Sequence, residues 1–353
     1  LSGEGSAITV GGTIGKEMDL KILGTAPAAL VTILSPEIRD ASGTLDLDMT
    51  IQGSQQLPRY SGHVRTKDNS VTLRAHPEPI EDLQGEVQFK ETAVETNGLK
   101  ARWGGGMIDA TIQGKLEERG WRWQSQFNLE DARVERVFVM TEGGETEPLA
   151  TGPLQASGDL TAGGGADVLA TLGGNVRMKA INGVVHKSFA LQKALTLINL
   201  GFLFQEGPGG EGLPYNEIGG TFDAKDGIAR TKDFKLLSPA LRAGVIGQLD
   251  LPLATYDATL AVQPLKLTDS VLSAIGNAPI IKQVGIGTLL FGRKRSIMIV
   301  TYRIEGPITD PKVTKVPTKV IDVGILGLVG KSLQLPADTL TEGSQEPAKE
   351  EAS

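Results

Sequence analysis

The sequence contains no cysteine, so disulfides, zinc–thiolate sites and thiol nucleophiles are excluded. Only three histidines are present, His63, His76 and His186, and they are scattered without the spacing of metal ligands. Aromatic residues make up 5% of the chain, and no apolar run reaches the ~20 residues that a membrane-spanning helix requires. Net charge is also sparse. Of the formal −7, Ala337–Ser353 supplies about −4 through Asp338, Glu342, Glu346, Glu350 and Glu351 against Lys349. The remaining body is nearly neutral, carries no field for a polyanion, and nucleic acid is not an expected partner.

What is abundant is glycine, 45 of 353 residues, against an ordinary frequency of ~7%. The glycines follow no three-residue period and fall between short alternating runs, the mark of many strands joined by tight turns. In Gly43–Gly53, Leu45, Leu47, Met49 and Ile51 point one way and Asp46, Asp48, Thr50 and Gln52 the other. Gly106–Gly114 repeats the pattern with Ile108, Ala110 and Ile112, and both runs end in Ile-Gln-Gly. Val176 and Met178 continue it, as do Tyr256–Val262 and Met298–Ile304. The expected fold is mainly β: an elongated, twisted antiparallel sheet with one apolar and one wet face. A few short apolar helices are expected in the C-terminal half.

The pattern defines four regions: strand repeats over 1–140, a Gly/Thr/Glu-rich loop or linker over 141–170, renewed strands and helices over 171–336, and an unstructured acidic tail over 337–353. Lys187–Phe204 reads as a helix that is apolar nearly all round, and hence buried or in contact with lipid. Its regular stripe is Leu191, Ala194, Leu195, Ile198 and Phe202; Phe189, Leu197, Leu200 and Phe204 lie towards the other side. Shorter helices are expected over Thr268–Ile275, Pro279–Leu290 and Lys319–Leu333. The first residues read as a strand at once, as in a piece of a longer protein.

No catalytic constellation emerges, and an enzyme is not expected. There is neither a Walker A sequence nor a G-x-S-x-G elbow. Asp46 and Asp48 form a carboxylate pair in name, but Thr50 and Gln52 beside them mark a solvated face. Trp121 and Trp123 share a face, which fits either a ring platform for a ligand or a packed edge strand. Arg293-Lys294-Arg295 fits either anionic headgroups or a solvated turn. Taken together, the amphipathic strands fit either a closed core or an open curved sheet whose apolar face binds something long and apolar.

Val184–Val316 resembles the AsmA-like C-terminal region. The residues that carry the likeness are Phe189–Leu200 (FALQKALTLINL), Leu203-Phe204, Gly212–Tyr215 (GLPY), Ile218–Phe222 (IGGTF), Asp226-Gly227, Leu237–Ala240 (LSPA), Gly247–Leu251 (GQLDL), Gly306-Pro307 and Asp310-Pro311. Gly3 to about Glu130 resembles the degenerate strand repeats found upstream in the same proteins. The resemblance implies a bridge-like lipid transfer protein of the AsmA, TamB and YhdP type. It further implies a taco-like β-groove in the periplasm, anchored to the inner membrane through a segment upstream of Leu1, that conducts phospholipid between inner and outer membrane. It brings no cofactor, no metal and no catalytic residue. The expected groove wall is Leu45, Leu47, Met49, Ile51, Ile108, Ala110, Ile112, Val176 and Met178. The expected membrane or groove-end contact is Phe189, Leu197, Leu200, Phe204, Arg293, Lys294 and Arg295. Expected partners are phospholipid, the membrane surfaces and membrane proteins. The alternative function is an assembly factor or scaffold for outer-membrane proteins acting through exposed sheet edges.

Overall fold

The structure, a computed structural model, describes residues 2–3, 6–34, 37–74, 76–117, 120–142, 145–163, 168–186, 189–197, 212–265 and 299–316. Its strands are β1 Ser2–Gly3, β2 Ser6–Ile14, β3 Glu17–Pro27, β4 Ile38–Ser42, β5 Thr44–Ser54, β6 Leu57–Leu73 and β7 Ile80–Glu91. There follow β8 Ala93–Thr96, β9 Leu99–Trp103, β10 Gly106–Glu117, β11 Gly120–Arg133, β12 Val139–Glu142, β13 Glu145–Pro148 and β14 Pro153–Gly163. The last are β15 Gly173–Val185, β16 Leu213–Lys225, β17 Ile228–Leu237, β18 Leu241–Asp250, β19 Thr255–Pro264, β20 Val300–Pro307 and β21 Lys312–Val316. Three short helices, α1 Val31–Leu34, α2 Val134–Val137 and α3 Phe189–Thr196, complete the described elements, with 3-10 turns at Ala28–Leu30 and Leu169–Thr171.

All strands except the β12–β13 hairpin join one 19-stranded sheet, and every pairing is antiparallel. From β5 onward the sheet is a meander of long neighbours, as alternating runs joined by short turns dictate. The short β4 pairs with the far end of β6, and β8 and β9 share the edge of β10. The sheet is continuous through the stretch that reads as a linker. Within it β14 pairs with β11 on one side and β15 on the other. Leu154, Ala156, Gly158, Leu160 and Ala162 supply an inward alternation that small residues weaken to the eye. Beyond Gly163 the chain is tied back by Thr171, whose hydroxyl accepts from the Gly163 amide and donates to the Gly163 carbonyl.

The two long rims of the sheet differ. On one lie tight connections, such as those at Ser54–Leu57, Lys225–Ile228 and Asp250–Thr255. The other carries the longer excursions with α1, α2 and α3. Helix α3 folds over the apolar face of the C-terminal strands, with Leu191, Ala194 and Leu195 buried among Leu154, Val185, Leu213, Leu236 and Tyr302. Each fully buried leucine contributes ~1.5–3 kcal/mol. Lys193 fastens the helix to the β20–β21 turn through the Asp310 carboxylate and the Pro311 carbonyl. Thus the regular stripe Leu191–Ala194–Leu195 of the sequence is the covered one, and Leu197 stands 55% exposed on the other side. Ile198, Leu200, Phe202, Phe204 and Arg293–Arg295, like the helices expected in 268–275, 279–290 and 319–333, lie outside the described residues, as does the side chain of Phe189.

Candidate functional site: an apolar sheet face

Strand register brings the inward residues into rows. One row runs Val10, Ile22, Met49, Gly62, Phe89, Val94, Gly114, Trp123, Ala162, crossing from β2 to β14. A second runs Ala110, Phe127, Gly158, Val176, Phe222, Thr231, Gly247, Ala258, Ile304, Val313, crossing from β10 to β21. Thr231 is the one polar side chain in either. Because the side-chain period of a strand is two, the opposite face collects the polar partners. There Arg65 pairs with Glu86, Lys90 with Glu95, and Glu217 with both Lys179 and Lys235. The Lys235 and Lys179 ammonium groups outweigh partial burial and hold the Glu217 carboxyl below its ordinary range.

Cover over this face changes along the sheet. Towards the N-terminal strands Leu45, Leu47, Ile51, Ile108, Ala110 and Ile112 are half-exposed, and Met49 alone of the expected wall there is buried. Val176 and Met178 are half-exposed as well, so all nine residues of the expected wall lie on this one face. Towards the C-terminal strands the same face is roofed. Its strands β15 to β20 form the floor of a cavity of about 370 Å³, while Val134, Phe138, Leu149, Ala150, Ala190 and Leu191 form the cover. The lining is almost wholly aliphatic or aromatic; Thr231, Gln248 and the Tyr256 phenol are its polar side-chain groups. Such a size and lining suit part of a small apolar ligand.

The cover is braced by hydrogen bonds. The Glu135 carboxylate accepts from the Gly152 amide at 3.0 Å and from Arg133 Nε at 2.8 Å. Burial alone would raise the Glu135 pKa, but backbone and Arg133 donors outweigh it and keep the group below its ordinary value. The Tyr215 hydroxyl donates to the Thr151 carbonyl at 2.6 Å. Burial, and the negative charge of Glu135, push the Tyr215 phenol up to about 12. Burial likewise raises Tyr256, which lines the cavity.

The indoles of Trp121 and Trp123 stack at 5.3 Å on the apolar face. Trp123 lies over Gly114, where an added Cβ would meet ring carbons at 2.4 Å. Their strand β11 is paired on both sides, so the edge-strand reading of this pair does not hold. Asp46 and Asp48 are exposed on the wet face; Asp46 accepts from the Thr25 hydroxyl, and Asp48 lies opposite His63 in register. His76 is a structural link, contacting the Val137 carbonyl at 2.8 Å and the Trp103 ring edge-on.

No family model, no curated protein and no solved structure matches this chain. Among the described residues no helix is long and apolar enough to cross a membrane. Sequence reasoning missed the covered cavity, because the roof comes from α2, α3 and the loop at Leu149-Ala150, which are remote in sequence from much of the floor. The one available signal was the Phe189–Thr196 stripe.

Proposed function

We propose that the chain is a segment of a bridge-like lipid transfer protein of the AsmA-like type, working in the periplasm between inner and outer membrane. Phospholipid acyl chains lie along the apolar face while headgroups stay at its rim; no bond is made or broken. The observation that carries this reading is the pair of rows, apolar but for Thr231, on one face where Leu45, Leu47, Ile51, Ile108, Ala110 and Ile112 are only half-buried. Water against that surface is unfavourable, and each methylene covered there contributes ~0.8 kcal/mol. The resemblance of Val184–Val316 to the AsmA-like region points the same way. The test is native extraction followed by mass spectrometry of the protein purified without detergent. Co-purifying phospholipid at a reproducible stoichiometry is expected. Lipid-free protein that also fails to bind added fluorescent phospholipid refutes the proposal.

A second reading, assembly of outer-membrane proteins by strand addition, draws on β2. This edge strand, SAITVGGTI, carries no charge or proline to blunt it, and among the described residues only the two-residue β1 pairs with its outer side. Crosslinking through Thr9 to an extended protein strand rather than to lipid is the result that favours it.

A further inference from the structure

Polar residues usually form turns, and those at Gln55-Gln56 and Thr92 on the tight-turn rim conform. Two others on the same rim do not. The β18–β19 turn is Leu251-Pro252-Leu253-Ala254, with Leu253 70% exposed. The β14–β15 connection presents Val168 and Leu169, the latter 47% exposed. These tips are neighbours. A Cβ on Gly227, in the hairpin between them, would touch both Ala170 and Pro252 at 3.1 Å. The Gly227 amide donates to Leu172, and Leu251 donates to Gly227.

We infer that this end of the rim rests on a lipid surface, with Leu253 and Leu169 entering the acyl region. Three observations select lipid as the occupant. The tips are projecting turns rather than a concave socket, which suits a fluid phase. Several of their backbone groups are already paired, which favours entry into an apolar phase. In the Leu251–Ala254 turn, Leu251 donates to Gly227, Pro252 has no N–H, Leu253 donates to the Asp250 carboxylate at 3.0 Å, and Ala254 donates to Leu251. In the other, the Thr171 hydroxyl donates to the Val168 carbonyl at 3.0 Å and accepts from Gly163. Finally, the Trp121–Trp123 pair lies beside that second turn, since Arg122 is the strand partner of Gly163. Indoles favour the interfacial level just above acyl chains. The patch also adjoins the cavity, because Leu249 and Tyr256, the residues flanking the Asp250–Thr255 turn, line it.

This contact does not depend on lipid moving along the sheet, and the lipid-extraction experiment above tests that separately. The chain has no cysteine, so Leu253→Cys provides a single site for an environment-sensitive fluorophore. Phosphatidylcholine vesicles should shift the emission of that label to the blue, while a label at Asn128→Cys on the wet face stays unchanged. The double variant Leu169→Ser, Leu253→Ser should keep its melting temperature, both sites being exposed, and lose about tenfold in vesicle partitioning, the worth of ~1.4 kcal/mol of apolar contact. An aqueous spectrum at Leu253→Cys at every vesicle concentration overturns the inference. A blue shift that appears without vesicles as protein concentration rises assigns the patch to a second copy of the chain and also overturns it.

Discussion

An open apolar face and a closed core answer differently to a buried charge, and three leucine or isoleucine positions of this sheet separate the two. Leu47 and Ile112 are half-exposed on the N-terminal part of the face, whereas Leu195 of α3 is fully buried against its C-terminal part. In Leu47→Asp or Ile112→Asp the carboxylate reaches water. The loss is about half the burial worth of the side chain, ~1 kcal/mol. For a chain of this size that is a fall of only ~2–4 °C in melting temperature. In Leu195→Asp the truncation alone costs ~2–5 kcal/mol. A carboxyl without a partner in that core adds ~2 kcal/mol or more. The sum rivals the ~5–15 kcal/mol total stability of a domain. Thermal melting followed by circular dichroism measures the difference, and bound phospholipid quantified on the same samples gives the functional readout. Leu47→Asp and Ile112→Asp are expected to melt almost normally and carry much less lipid. Leu195→Asp is expected to unfold or to populate a molten state. If all three variants collapse alike, the face is a closed core and the reasoning fails; if the first two melt normally and keep their full lipid, the groove wall lies elsewhere.

Glu135→Gln should lower the urea midpoint at neutral pH. Because the folded-state pKa is depressed, the stabilisation exists above the unfolded value of 4.5 and is lost as pH falls through the folded one. The variant and parent curves should therefore converge in acid, and parallel curves would contradict the role given to Glu135. Tyr215 has the opposite sign: its pKa is raised from 10.0 to about 12, so its contribution is complete below pH 10 and disappears as pH rises towards 12. Tyr215→Phe should flatten that alkaline limb, although it also loses the bond to Thr151; an unchanged alkaline slope would exclude Tyr215 as its source. Gly114→Val should drive Trp123 from its seat and separate the stacked indoles, read as a change in tryptophan emission and near-ultraviolet dichroism. Unchanged spectra would mean that the ring does not depend on that gap.

The alternation in Gly43–Gly53 and Gly106–Gly114 already determined which side of each strand is apolar, because side-chain direction reverses at every residue and needs no distant partner. The many glycines between alternating runs likewise announced a meander of strands with tight turns. The same residues did not say what covers that face. Leu47 and Leu260 sit in equally regular alternating strands, yet the first is half-exposed and the second buried, because α3 and its neighbours roof only the C-terminal strands. Cover is a long-range property. Nor did composition reveal that Pro153–Gly163 is a central strand, since Ala156, Gly158 and Ala162 carry too little apolar surface to register until β11 and β15 close on either side. The rim patch is the clearest case. Val168-Leu169 and Pro252-Leu253 lie some eighty residues apart in the chain, and only the pairing of β15 through β18 sets them side by side.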